Sequence, residues 1–271
     1  MDCVIIRGTR LEVRHIPGPA IRAPLVFLHE GLGSVAMWTQ RGRDWPLELC
    51  RITGRPGWVY SRRGYGRSDP VPDVRGAPHD TEFWHTGRHE PDYMHREALD
   101  VLPALLDALG IKTPVLVGHS DGASIALLHA SHHPVTACVV MAPHVFVEEI
   151  SIQSIERARA AYLDTKEQGL RSRLARYHDD VDNAFWQWND IWLDPAFQRF
   201  DIRNECRHIS APVLVIQGAN DEYGSLQQVE DVAPQHAPAF KLVLEACGHS
   251  PHRDQPEAVL TAVADFLSGQ P

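Results

Sequence analysis

The segment Gly118-His119-Ser120-Asp121-Gly122 has the form G-x-S-x-G. A serine hydroxyl is a poor nucleophile until a base takes its proton, and that base needs a carboxylate to orient it. Two glycines around a serine suit a sharp turn from a strand into a helix: the flanking elements approach closely and the hydroxyl is left exposed. Alone, the pattern is short and recurs by chance. Its context is the stronger signal. An apolar run at 115–117 enters the turn and a small-residue stretch at 123–133 leaves it. Together they predict acyl-transfer chemistry at Ser120.

On such an elbow the acid and then the base follow the nucleophile in the chain. The apolar run 213–216 leads into Gln217-Gly218-Ala219-Asn220-Asp221-Glu222, and the run 241–245 leads into Ala246-Cys247-Gly248-His249-Ser250. Each loop follows the end of a strand, where α/β sheets place their sites. Asp221 is the predicted acid and His249 the predicted base. Glu222 and His252 stay open as alternatives, since position after the strand is the only guide. His119 is set aside as the base, because neighbours on a tight turn point apart. The Asp121 side chain is expected to bond nearby backbone N–H groups at a helix start, with an interaction with His29, His119 or substrate left open.

Sixteen histidines raise the question of a metal. The pairs His132-His133 and His249-x-x-His252 lack a third ligand at metalloprotease spacing, and no H-E-x-x-H occurs. No metal and no cofactor are expected. The 271 residues are 44% hydrophobic and 23% charged, enough for a sizeable core, and the net charge of -9 argues against nucleic acid as a partner. No stretch approaches the roughly 20 apolar residues of a membrane span, and the opening residues do not form a signal peptide. Five scattered cysteines without C-x-x-C read as free thiols in a reducing compartment, so a cytoplasmic location is expected. The expected partner is a small-molecule substrate, with a homodimer left open.

The elements that must position these residues form an α/β pattern. Runs at 3–7 and 11–16 read as a hairpin turning at Gly8-Thr9. Core strands are expected at 25–28, 58–60, 115–117, 138–141, 213–216 and 241–245, with helices at 93–109, 123–133 and 256–267. Strands alternating with helices predict a mostly parallel twisted sheet covered on both faces. Residues 147–209 break the rhythm as a helical insertion, leaving 1–146 and 210–271 as the core. Trp186 and Trp188 of the insertion are candidates to line a pocket, one toward the site and one toward the core. The irregular stretch 71–91 is too long for an ordinary connection. It offers Trp84, with His85 and His89, as residues reaching over the site.

His29-Glu30-Gly31-Leu32-Gly33-Ser34, then Gly64-Tyr65-Gly66-Arg67-Ser68-Asp69, then 118–122, Asp221 and Gly248-His249 resemble the ordered motif series of the α/β-hydrolase superfamily. The resemblance runs from about residue 20 to the C-terminus and does not specify a substrate. It implies that 147–209 is a cap over the site and that the backbone N–H groups of Gly31 and Asp121 are the oxyanion donors. It also exposes a departure: Glu30 stands where a glycine is expected. Glu30 reads either as a carboxylate that orients a substrate group or a water, or as one that turns away to bond the backbone. The resemblance implies hydrolysis of a carboxylic ester of a small or aromatic molecule. Hydrolysis of a carbon–carbon bond in aromatic ring-cleavage products, or non-hydrolytic ligand binding, are the alternatives.

Overall fold

The computed structural model describes residues 2–76, 88–164 and 168–271. Its sheet strands are β1 (Asp2–Ile6), β2 (Thr9–Ile16), β3 (Leu25–Leu28), β4 (Gly57–Tyr60), β5 (Val115–His119), β6 (Ala137–Met141), β7 (Val213–Gly218) and β8 (Ala239–Leu244). They lie in the order β1-β2-β4-β3-β5-β6-β7-β8. The first two strands pair antiparallel, as do β2 and β4, and every later pairing is parallel. The opening hairpin turns at Arg7-Gly8, one residue before the expected position. Both residues take positive φ, 48° and 82°, as a two-residue hairpin turn of matching twist requires.

The central strands are apolar except at their carboxyl ends, where His119 and Gln217 stand, because both faces are covered. Side chains alternate, so Val26, Leu28, Leu116 and Val140 enter one core layer. Phe27, Val117, Val139 and Ile216 enter the other. The first layer is closed by α2 (Asp121–His132), and the second by α1 (Trp45–Thr53) and by α5 (Pro256–Ser268). The pattern reading missed α1, although its signals are present: Asp44 caps Leu47 N–H at 3.2 Å and Pro46 sits in the first turn. The expected helix 93–109 is interrupted by a π-helical stretch, Glu97–Val101, between Tyr93–Arg96 and Leu102–Ala108. Pro103 cannot donate a backbone hydrogen bond there.

Residues 147–209 contribute no strand to the sheet among the described residues. Their longer helices are α3 (Glu149–Leu163) and α4 (Val181–Trp192). Apolar positions 181, 184, 185, 188, 191 and 192 give α4 one buried face, and Asp180 caps it by accepting from Asn183 N–H at 2.9 Å. The segment is tied to loops at the carboxyl ends of the strands. Asn183 exchanges two hydrogen bonds with the Val71 backbone, 3.0 and 2.7 Å, and the His178 ring joins Gly66 N–H to Leu32 O at 2.9 Å each. Among the described residues no helix is long and apolar enough to cross a membrane.

Candidate active site

Strand β5 ends at His119 and α2 begins at Asp121, leaving Ser120 alone to turn the chain. Its backbone takes φ 52° and ψ −119°. A non-glycine residue there is strained, and such strain persists only where the surroundings fix it. Here Ser120 N–H donates to Met141 O at 2.9 Å. The glycines explain the rest. A Cβ on Gly118 would lie 2.4 Å from Gly122 O, and one on Gly122 would lie 2.1 Å from Leu28 O. Neither position has room for a side chain while α2 stays this close to β3 and β5.

The loops after β7 and β8 are laced together, with Ala219 N–H on Leu244 O and Asn220 N–H on Cys247 O, both 2.9 Å. Asp221 and His249 come together there. His249 Nδ1 lies 2.8 and 3.0 Å from the two Asp221 carboxylate oxygens, and Nε2 lies 2.9 Å from Ser120 Oγ. A carboxylate accepts, so Nδ1 carries the hydrogen and Nε2 offers its lone pair to the hydroxyl. Burial opposes the charge on both partners, yet each stabilises the other. The Asp221 carboxyl is held below its usual range and the His249 imidazole above its own. Glu222 does not face the ring; it accepts from His249 N–H at 3.2 Å. His252 packs against Trp38, Trp45 and His119 at 5.0, 5.5 and 4.8 Å.

Ser120 opens into a chamber of about 220 Å³. Glu30, Gly31 and Leu32 form one wall, Trp188 and Trp192 another, and His144, Tyr223 and Arg253 complete it. The Gly31 backbone lies under the Trp188 indole, for a Cβ at Gly31 would sit 2.1 Å from Trp188 Nε1. Asp121 is the first residue of α2, where backbone N–H groups have no acceptor within the helix. The Asp121 side chain departs from expectation. It is fully buried and accepts from the Tyr93 hydroxyl at 2.6 Å rather than from backbone N–H groups. Burial pushes its carboxyl up, and the nearby Arg62 charge offsets only part of that.

Arg62 carries no signal in the sequence reading. It is buried, and its guanidinium donates to the carbonyls of His29 and Glu30, the second at 2.9 Å. Its own N–H donates to His29 Nε2 at 3.0 Å. The loop that carries Gly31 is therefore anchored from below by a charged fork. Glu30 does not stand alone in the chamber. Its Oε2 lies 3.3 Å from His119 Nδ1. Burial would raise the Glu30 carboxyl, but the bond and charge of His119 outweigh it and hold it well below the carboxylate range.

The two candidate tryptophans separate. Trp188 lines the chamber. Trp186 does not: its ring stacks under the Arg75 guanidinium at 3.9 Å and packs on Tyr162 and Phe185. Two helical residues apart is about 200°, so the pair faces opposite ways, whereas Trp192, four residues from Trp188, shares its face. That spacing was available in the sequence. So was His144, which follows the end of β6 as Glu30 follows β3. Burial and the His249 charge push its imidazole down to about 3, so it is neutral. Trp84 and His85 lie outside the described residues. Among the described residues no group of three His, Cys, Asp or Glu side chains is arranged to hold a metal ion.

A profile of the alpha/beta hydrolase family matches residues 25–262. The chain belongs to the alpha/beta hydrolase family. Among curated relatives it is 24% identical to the sn-1-specific diacylglycerol lipase ABHD11 of Mus musculus, covering 97% of this chain and 87% of that protein. It is 22% identical to the bifunctional esterase/perhydrolase DCH of Acinetobacter calcoaceticus, covering 74% and 75%. Among solved structures, the enol-lactonase of Burkholderia xenovorans LB400 superposes with a TM-score of 0.71 at 20% identity, covering 98% of this chain and 100% of that one. The structural likeness establishes the alpha/beta hydrolase fold, and the family assignment makes the chain a hydrolase-family member.

Proposed function

We propose that this alpha/beta hydrolase is a serine hydrolase that cleaves a carboxylic ester of a small or aromatic molecule through an acyl-enzyme on Ser120. The observation that carries the reading is the line from Asp221 through His249 Nδ1 and Nε2 to Ser120 Oγ, with bonds of 2.8 and 2.9 Å. As Ser120 Oγ attacks the carbonyl carbon, its proton passes to His249 Nε2, and Asp221 stabilises the imidazolium. The N–H groups of Gly31 and Asp121 receive the oxyanion. Donors fixed in this way contribute about 3–4 kcal/mol each in comparable sites. The C–O bond then breaks as His249 returns the proton to the leaving alcohol. A water, deprotonated by His249, then attacks the acyl carbon, and the bond to Ser120 Oγ breaks as His249 returns that proton to Oγ, releasing the acid.

A chamber of about 220 Å³ suits a small acyl or alcohol group. We read 147–209 as its cap, because Trp188 and Trp192 of α4 lie on the chamber wall. The carbon–carbon reading asks for an arginine free to hold a substrate carboxylate. Of the cap arginines Arg157, Arg159, Arg173 and Arg176 none lines the chamber among the described residues; the arginine on its wall is Arg253, which pairs with Asp254. The ester reading therefore stands ahead. The five cysteines, all free, fit a cytoplasmic enzyme.

Short p-nitrophenyl esters assayed beside a ring-cleavage dienoate test the reaction class. Ester turnover that vanishes in Ser120→Ala is expected. Turnover of the dienoate alone, or ester turnover that survives Ser120→Ala, overturns the proposal.

A further inference from the structure

We infer that Glu30 and His119 are positioning residues: together they clamp the backbone of His249, and so hold the base on the nucleophile. The inference rests on the reading of Ser120 and His249 given above. His119 is buried beside Ser120 and meets an acceptor on each side. Its Nε2 lies 2.7 Å from His249 O, and its Nδ1 lies 3.3 Å from Glu30 Oε2. A carbonyl oxygen can only accept, so Nε2 is a donor and the ring is oriented by its contact with Glu30. His249 is then pinned at both ends of its backbone, since its N–H donates to Glu222 Oε2 at 3.2 Å.

The site is shaped for this contact. Glu30 Oε2 lies where a side chain on Gly33 would be, 2.6 Å from the position of a Cβ, so the bare backbone there makes room for the carboxylate. His252 stands against the His119 ring at 4.8 Å. The clamp joins three loops that are distant in the chain: the one after β3 with Gly31, the elbow with Ser120, and the one after β8 with His249. Release would let the imidazole drift from the hydroxyl. A displacement on the order of 1 Å at a reacting group costs about 100-fold in rate.

Glu30→Ala, His119→Ala and the double variant test this. Each single variant is expected to lower kcat by about 10- to 100-fold with KM within about threefold, and the double variant to be no worse than the poorer single. Glu30→Gln keeps a hydrogen-bonding partner for the ring and is expected to recover kcat to within about fivefold of the parent. Glu30 is partly exposed, so Glu30→Ala carries the test if His119→Ala fails to fold. Imidazole ¹H–¹⁵N spectra give a readout that needs no turnover. The His249 ring is expected as one sharp set of signals in the parent and as broadened or split signals in Glu30→Ala. Parent-like kcat in Glu30→Ala, a loss confined to KM, additive losses in the double variant, Glu30→Gln no better than Glu30→Ala, or an unchanged His249 ring spectrum would each overturn the clamp. A parent enzyme without ester turnover would instead overturn the hydrolase reading, and the ring spectra would still decide the clamp.

Discussion

Two carboxylate–imidazole pairs meet beside Ser120, Asp221–His249 and Glu30–His119, whose rings lie 5.3 Å apart. Each carboxylate meets the Nδ1 of its ring. They differ in what the far nitrogen meets. His249 Nε2 faces the Ser120 hydroxyl, which has a proton to give, and His119 Nε2 faces the carbonyl of His249, which has none. The same two residue types therefore stand in different surroundings. On the proposed mechanism one pair moves a proton, and on the clamp inference the other holds a backbone in place. Proximity to the nucleophile in sequence decides nothing, since His119 adjoins Ser120 and His249 lies 129 residues away.

The largest test of that difference compares the two rings. His249→Ala is expected to lower kcat by about 10⁴- to 10⁶-fold, as loss of a triad base does elsewhere, against about 10- to 100-fold for His119→Ala. Single-turnover kinetics would measure both, and equal losses would erase the distinction. The two carboxylates come next. Asp221→Asn is expected to cost about 10⁴-fold in kcat, and Glu30→Gln only a few-fold.

The pH profile sharpens the comparison further. Asp221 raises the His249 imidazole, and a base must be neutral to act. The acid limb of kcat/KM is therefore expected above the ordinary histidine value of about 6.5 in the parent and lower in Asp221→Asn. A limb that stays in place when Asp221 is neutralised would mean that Asp221 does not set the base. The smallest effect concerns the frame shared by both pairs. Gly122→Ala would press a Cβ to 2.1 Å from Leu28 O and push β3, with Glu30 beyond it, away from the elbow. Overpacking of this kind costs about 1–3 kcal/mol, measurable as a lower thermal midpoint.

Local pattern made the elbow, the central strands and their alternation with helices legible, because each depends on spacing within about 15 residues. The order of acid and base after the elbow narrowed the partners to two adjacent carboxylates and two nearby histidines. Only coordinates separate Asp221, on the ring, from Glu222, on the backbone. Trp188 and Trp192 were within reach of helical spacing, while Trp186 points the other way for the same reason. The Glu30–His119 contact was not legible, nor was the Arg62 fork under the Gly31 loop. Residues 30, 62, 119 and 249 meet only through the stacking order of β4, β3, β5 and the later strands, which no local period encodes.

The most direct test of the central claim is intact-protein mass spectrometry after treatment with a fluorophosphonate, followed by peptide mapping. One adduct on Ser120 is expected, absent in Ser120→Ala and strongly slowed in His249→Ala. Folded protein that takes no adduct, or takes it on another residue, would contradict the assignment of Ser120 as an activated nucleophile.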